Sequence, residues 1–385
     1  MNFINEIYNN LNKVNPSELT EMYEDLYANN SSCAIYMDGQ VGGRSLEGLK
    51  IGTHDLSPLV KKYMIYCAGD SHSPGRTITE IFENMGKVCK KCNYLCASGT
   101  GKSDDPYRNL TELTKNNKSD ILLNLITSYP DSPMGNMVQD MEGNVLELKG
   151  RKSNNNKNSD YLKEGLLEDE LELAITELTS VISRGISQSI KPDDFHNYYK
   201  NAVDEIKTTQ YKIGELQGTE EYKNILEYLI DPVTSIFSCG RSINNNILKM
   251  NNIRLGHVRP LTMNRLGIDP NAILRIGANK NYVIGESCTP NMDENSILLC
   301  VSKSGKGKIE KYIQDANKIG AECFLVTEKD NVENTKTLKL ETPNFYTDSC
   351  FLLSTILADL GYKLVEDNVE INETVLKALH VKDKI

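Results

Sequence analysis

Ser302-Lys303-Ser304-Gly305-Lys306-Gly307 offers two hydroxyls and two glycines in six residues, an arrangement suited to a small anion. An apolar run, Ile297 to Val301, leads into it and reads as a buried parallel strand. A helical pattern follows at once. The first-turn N–H groups of a helix have no partner within it, and the helix dipole favours negative charge there. Ser302 and Ser304 would add donors, and Gly305 would let the backbone approach its guest closely. A phosphate-bearing small molecule is the expected ligand. The same residues would also make an ordinary strand-to-helix turn.

A second version of the pattern lies about 200 residues earlier. Tyr94-Leu95-Cys96-Ala97 feeds Ser98-Gly99-Thr100-Gly101-Lys102-Ser103, so Ser98, Thr100, Gly101 and Ser103 join the candidates. The residues upstream repeat as well. Cys239-Gly240-Arg241-Ser242 matches Gly42-Gly43-Arg44-Ser45, which nominates Arg44, Ser45, Arg241 and Ser242. Tyr282 to Pro290 matches Tyr66 to Pro74 and nominates Glu286 and Thr289, with Asp70 opposite Glu286. Three motifs in one order in both halves indicate an internal duplication. The spacing differs: Arg44 to Pro74 is 30 residues and Arg241 to Pro290 is 49. An insertion is expected at 260–280. Conversely, Pro74 to Ser98 is 24 residues and Pro290 to Ser302 only 12.

His54 and His257 fall at corresponding places, where an imidazole could shuttle a proton during sugar ring opening. Each could equally be a helix-face histidine satisfied by a neighbour. Asp169 and Glu170 lie in an acidic run, Glu168 to Glu172. They could supply a base, or could simply sit at a solvated helix N-terminus, where the dipole favours carboxylates.

Composition narrows the function classes. A chain of 385 residues, 39% hydrophobic and 25% charged, can bury two cores. Its 43 basic and 53 acidic residues give a net charge of −10, which argues against nucleic acid and anionic membrane surfaces as partners. No apolar stretch reaches the ~18–20 residues of a membrane span. MNFINEIYNN has neither a basic nor an apolar segment of a signal peptide, so a cytoplasmic protein is expected. Cys89-Lys90-Lys91-Cys92 lacks a second ligand pair, so no metal site and no cofactor are expected, and the thiols read as reduced. Gly99-Thr100-Gly101-Lys102-Ser103 resembles the end of a nucleotide-binding P-loop, but the first glycine such a loop needs is replaced by Cys96.

The elements that must position these residues alternate. Strands are expected near 32–37, 63–68, 94–97 and 121–126, then near 235–238, 281–284, 297–301 and 322–326. Helices are expected near 16–28, 76–87, 104–115, 166–184, 308–319 and 349–360, with more across 191–230. This alternation predicts α/β architecture: two domains, 1–185 and 186–385, each a parallel sheet with helices on both faces in a flavodoxin-like sandwich. Ligands in such sheets sit at the carboxyl ends of the strands, where both loops fall.

The ordered motifs resemble those of tandem sugar isomerase (SIS) domains, and are most similar to 6-phospho-3-hexuloisomerases. Gly240-Arg241-Ser242, Arg254-Leu255-Gly256-His257, Gly285-Glu286 with Thr289-Pro290, and Ser302 to Gly307 carry the resemblance in the second half. Gly43-Arg44-Ser45, His54, Gly69-Asp70, Ser73-Pro74, Ser98 to Ser103 and Thr127-Ser128-Tyr129-Pro130-Asp131-Ser132 carry it in the first. The resemblance implies a phosphosugar aldose/ketose isomerase acting through a cis-enediol, with a phosphorylated sugar as ligand. It also implies a homodimer of tandem-domain chains. Two departures bear on activity: Lys102 and Lys306 stand where the family carries Glu, and neither half has a clean G-T-x-F-E. Asp348 and the run Glu168 to Glu172 are the nearest substitutes for that motif's base. One expectation is therefore a composite site, with an acid from 168–170 serving a sugar held by Ser302, Ser304 and His257. The alternative is a noncatalytic sugar-phosphate-binding protein, a sensor or assembly subunit.

Overall fold

The computed structural model describes residues 2–28, 32–40, 43–59, 61–69, 76–116, 120–150, 170–264, 280–284 and 290–366. Glu286, Thr289, Asp70 and Asp169 lie outside them, as do 265–279 of the expected insertion. The chain divides into two compact units. The first is built from Met1–Lys152 and Glu170–Ile206, and the second begins at Lys207. The first unit thus runs about twenty residues past the boundary expected at 185.

In the first unit, β1 (Cys33–Asp38), β2 (Tyr63–Cys67), β3 (Lys91–Ala97), β4 (Ile121–Thr127) and β5 (Asn144–Glu147) form one sheet in the order β2-β1-β3-β4-β5. All neighbours are parallel. β1 is buried at all six positions, as an apolar run covered on both faces must be. Helices α1 (Asn2–Asn12), α2 (Pro16–Leu26), α3 (Arg44–Gly52), α4 (Ile78–Gly86), α5 (Asp104–Lys115), α6 (Pro133–Asp140), α7 (Glu170–Ser187) and α8 (Pro192–Asp204) complete the unit. Their starts are locally encoded. Thr77 and Glu80 close a capping box on α4, and Ser132 caps α6 with Pro133 at its first position. A buried amide ladder crosses the sheet: Asn144 donates to Asn124 (3.3 Å), and Asn124 to Asn93 (3.3 Å). Asn144 also donates to Asp25 at 2.8 Å, which ties α2 to β5. Buried polar groups with matched partners favour one register over its alternatives.

The second unit repeats the topology. Its strands β6 (Ser235–Cys239), β7 (Asn281–Val283), β8 (Ser296–Val301), β9 (Glu322–Thr327) and β10 (Lys336–Lys339) lie in the order β10-β9-β8-β6-β7, again all parallel. Numbered within each unit, both sheets read 2-1-3-4-5, the flavodoxin-like order. The helices are α9 (Ile206–Gln217), which enters the unit at Lys207, α10 (Glu220–Ile230), α11 (Ile243–Asn264), α12 (Lys308–Lys318) and α13 (Phe345–Glu366). Arg259 of α11 is fully buried and donates to the carbonyls of Leu229, Asp231 and Thr234. It thereby satisfies the C-terminus of α10, where a cation is favoured by the helix dipole.

The α/β architecture and every sequence-expected strand are present. Not expected were α1, α3, α6, α11, β5 and β10. The extra stretch between Pro74 and Ser98 contains α4; no helix occupies the described residues between β7 and β8.

Candidate ligand loops at the strand ends

Both nominated loops leave the third strand of their sheet at the same edge, next to the first strand, where the strand order reverses. Their backbones superpose in bonding pattern. The Ser98 N–H donates to Ile126 O and the Ser302 N–H to Val326 O, each at 3.0 Å. Gly101 N–H turns back to Ser98 O (3.1 Å), and Gly305 N–H to Ser302 O (3.2 Å). Ser128 N–H donates to Gly99 O and Glu328 N–H to Lys303 O, each at 3.3 Å. Gly101 sits at φ +60° and Gly305 at φ +63°, in the left-handed region that residues with a Cβ enter at a cost. Two residues on, Ser103 and Gly307 stand just before α5 and α12.

The side chains around the two loops differ. In the first unit, Ser98 is buried, and its Oγ lies 2.9 Å from Ser103 Oγ. Gly101 is packed so closely on Ser132 that a Cβ there would collide with the Ser132 hydroxyl. Met134 N–H, in the first turn of α6, donates to Gly101 O at 3.2 Å. Four hydroxyl residues, Ser98, Thr100, Ser103 and Ser132, thus belong to the loop and its lining. In the second unit Ser302 is buried and Ser304 exposed. The Glu310 carboxylate accepts from Gly307 N–H at 3.1 Å, so the opening of α12 already holds an anion of its own. Lys303 pairs with Glu328 at 3.1 Å, and no helix lies between β9 and β10 among the described residues.

A group not singled out in the sequence lies directly beneath the first loop. Asp38, fully buried at the end of β1, accepts from the Tyr94 hydroxyl (2.7 Å), the Asn109 amide (2.8 Å) and its neighbour's N–H at Gly39 (2.8 Å). Burial pushes its carboxyl above the ordinary carboxylate range, against the bonds from Asn109, Tyr94 and Gly39 that favour the charged form. Nearby, the Gln40 amide donates to Asp105 of α5 at 2.8 Å, joining the β1–α3 and β3–α5 connections. The available signal was a carboxylate closing an otherwise apolar strand, Cys33-Ala34-Ile35-Tyr36-Met37-Asp38.

Other nominated residues scatter. Arg44 and Ser45 open α3 at the loop edge, with Arg44 buried. Arg241 and Ser242 are exposed in the β6–α11 connection, and Ser242 has φ +55°. The proposed match of these two pairs is corrected by strand pairing. Asp38 faces Cys96 and Cys239 faces Cys300, so Gly240 corresponds to Gly39 rather than Gly43. Arg44 and Arg241 are therefore not equivalent. The Tyr66 and Tyr282 match holds: Ala68 N–H donates to Met37 O and Ile284 N–H to Ser238 O, both at 2.9 Å.

Glu170 is buried at the first position of α7, against Gly150, which follows β5 at the loop edge. Asp348 is buried in the first turn of α13 and accepts from Thr209 at 2.8 Å. His54 lies elsewhere. It follows the C-terminus of α3 in the turn Thr53–Leu59 that leads back to β2, at the opposite end of the layer from the loop. Burial lowers its pKa, with Asp55 opposing, which favours the neutral ring. The backbone at His257 is fourteen residues into α11. At 1.5 Å per residue that is roughly 21 Å from the helix start. In each unit the backbone at the histidine stands well along the chain from the strand end that bears the loop.

Among the described residues, no cluster of His, Cys, Asp and Glu could hold a metal ion, and no helix is long and apolar enough to cross a membrane. The nine described cysteines are free thiols.

No protein-family model matches the chain, and no curated protein sequence matches it. Solved structures do. The C-terminal domain of glucosamine-fructose-6-phosphate aminotransferase from Francisella tularensis aligns over 96% of this chain and 95% of its own, with TM-score 0.55 and 14% identity. A candidate sugar-binding protein from Salmonella typhimurium LT2 aligns over 94% and 97%, with TM-score 0.59 and 10% identity. Tagatose-6-phosphate ketose/aldose isomerase from Escherichia coli aligns over 88% and 83%, with TM-score 0.52 and 10% identity. The likeness runs through both sheets, and the fold of this chain is that of two SIS-like domains in tandem.

Proposed function

We propose that the protein binds a phosphorylated sugar at its strand-end loops and interconverts aldose and ketose forms through a cis-enediol. The observation that carries this reading is the left-handed glycine turn, flanked by hydroxyls, at the strand-order reversal of each sheet. Two structures that share the fold bear the names of proteins of phosphorylated-sugar chemistry, which supports the ligand class. Within the first unit, Glu170 is the sequence-nominated carboxylate among the described residues that shares an edge with the loop. A carboxylate can take a proton from one sugar carbon and return it to its neighbour. The finer assignment to 6-phospho-3-hexulose, where the same enediol step would move the carbonyl between neighbouring carbons of two ketoses, rests on motif order alone. With it go an ancestral duplication, supported by matched loop bonding, a homodimer of chains and a cytoplasmic location.

The test is a thermal-shift screen against pentose and hexose phosphates, followed by proton exchange in D2O. Deuterium entering the sugar beside its carbonyl, and lost in Glu170→Gln while the thermal shift persists, is the expected result. A second reading, binding without turnover, is favoured by His54 standing at the far end of its layer and by Lys102 and Lys306 in place of family Glu. A retained thermal shift with no deuterium uptake in the wild type selects it. No shift with any phosphosugar rejects both.

A further inference from the structure

The two loops have six residues each between strand and helix, so the segments correspond one to one from β3 through α5 and from β8 through α12. Tyr94 then corresponds to Leu298, and Asn109 to Ile313. Strand pairing independently sets Asp38 against Cys239. Position for position, the polar trio Asp38, Tyr94 and Asn109 is replaced by Cys239, Leu298 and Ile313. All three replacements are nearly fully buried in one apolar cluster of the second unit. The fold therefore closes this layer well without a carboxylate. Burying one costs free energy that apolar side chains of similar volume avoid, even when it is hydrogen-bonded.

What the carboxylate does is visible in its bonds. Asp38 Oδ2 receives Tyr94 from the strand that feeds the loop and Asn109 from the helix that leaves it. The Tyr94 hydroxyl also lies 3.3 Å from Pro106 O, in the first turn of that helix. One oxygen thus fixes both ends of Ser98–Ser103. In the second unit Cys239, Leu298 and Ile313 pack together with no such bond, and apolar contact is not directional.

Building on the phosphosugar reading above, we propose that Asp38 is the positioning residue of the first unit's loop, and that this unit, not the second, holds the ligand. Asp38 touches no ligand. It fixes the height of α5 over β1 and β3, and so the spacing of the Ser98, Thr100 and Ser103 hydroxyls.

The test uses the full chain and isothermal titration with fructose 6-phosphate, inorganic phosphate serving as the second probe. The variant Asp38→Cys/Tyr94→Leu/Asn109→Ile gives the first unit the second unit's own filling. It should unfold at or above the wild-type temperature while binding fructose 6-phosphate at least tenfold more weakly. Should that triple variant not fold, Asp38→Asn decides, with at least fivefold weaker binding expected. Asp38→Asn/Asn109→Asp, which restores an amide–carboxylate pair with its ends exchanged, should return affinity to within twofold. Ser302→Ala/Ser304→Ala should weaken binding less than Ser98→Ala/Thr100→Ala does. A folded triple variant with wild-type affinity, or a loss in Ser302→Ala/Ser304→Ala as large as that in Ser98→Ala/Thr100→Ala, overturns the assignment. Wild-type protein that binds neither probe overturns the phosphosugar reading, and this assignment with it.

Discussion

Ser98–Ser103 and Ser302–Gly307 leave their strands through the same hydrogen bonds and turn on a glycine at almost the same φ. Around that common backbone the units diverge. The first surrounds its loop with Ser132, the opening of α6 and the Asp38 network. The second surrounds it with Val332, an apolar core and its own Glu310. The backbone shape follows from strand-to-helix geometry and a left-handed glycine, which the fold supplies twice. Ligand chemistry resides in the side chains: the hydroxyls of Ser98 and Thr100 recur as Ser302 and Ser304, whereas Ser103, Ser132 and the Asp38 network have no counterpart among the described residues.

Breaking each glycine turn gives the largest contrast. Gly101→Ala adds left-handed strain and a collision with Ser132, for a loss of about 2–4 kcal/mol. Gly305→Ala adds the strain and only a 3.1 Å approach to Val332, for about 1 kcal/mol. Urea unfolding of the two variants measures the difference; equal losses would mean that Ser132 yields freely. Next in size is ligand affinity. Ser98→Ala/Thr100→Ala should cost about 1–3 kcal/mol of phosphosugar binding, the scale of hydrogen bonds to a charged group. Unchanged titration curves for this pair and for Ser302→Ala/Ser304→Ala together would remove both loops from binding.

A smaller effect separates the units by pH. The folded pKa of Asp38 is raised, so between its ordinary and folded values the native state binds more protons than the unfolded one. Its contribution is complete below the ordinary carboxylate value and is lost as pH rises through the folded pKa. Asp38→Asn should therefore gain stability relative to wild type as pH rises across that window. A pH-independent difference in urea midpoint would contradict a shift in this direction. The smallest effect belongs to His54, whose folded pKa is lowered. Here the unfolded state binds more protons, so stability falls as pH drops below about 6.5, the free-histidine value. His54→Gln should lessen that fall; an unaltered pH profile would place His54 in solvent.

Much of this was legible because it is local. The apolar runs at 297–301 and 121–126 became β8 and β4, and residues 104–115 became α5 at the expected bounds. Strand periodicity and a small-residue loop before a helix are written in neighbouring residues. α3, the two-turn α6 and the four-residue β5 and β10 escaped notice, being short segments stabilised by packing rather than by their own pattern. The match of Gly43-Arg44-Ser45 to Gly240-Arg241-Ser242 failed for a related reason. Identical triplets carry no register; strand pairing does, and it shifted one triplet past the start of its helix.

The sequence by itself determined two α/β halves, the edge at which their loops emerge, and the glycines on which those loops turn. Each follows from periodicity, chain order and φ, which are properties of residues near one another in the chain. Only the tertiary structure decided that His54 stands at the far end of its layer, and that Asp38 lies under one loop while Cys239 lies under the other. Those facts depend on which strands pair and how far a helix carries the chain. The free energy of a buried carboxylate is likewise set by partners more than fifty residues away, Tyr94 and Asn109, rather than by its neighbours in sequence.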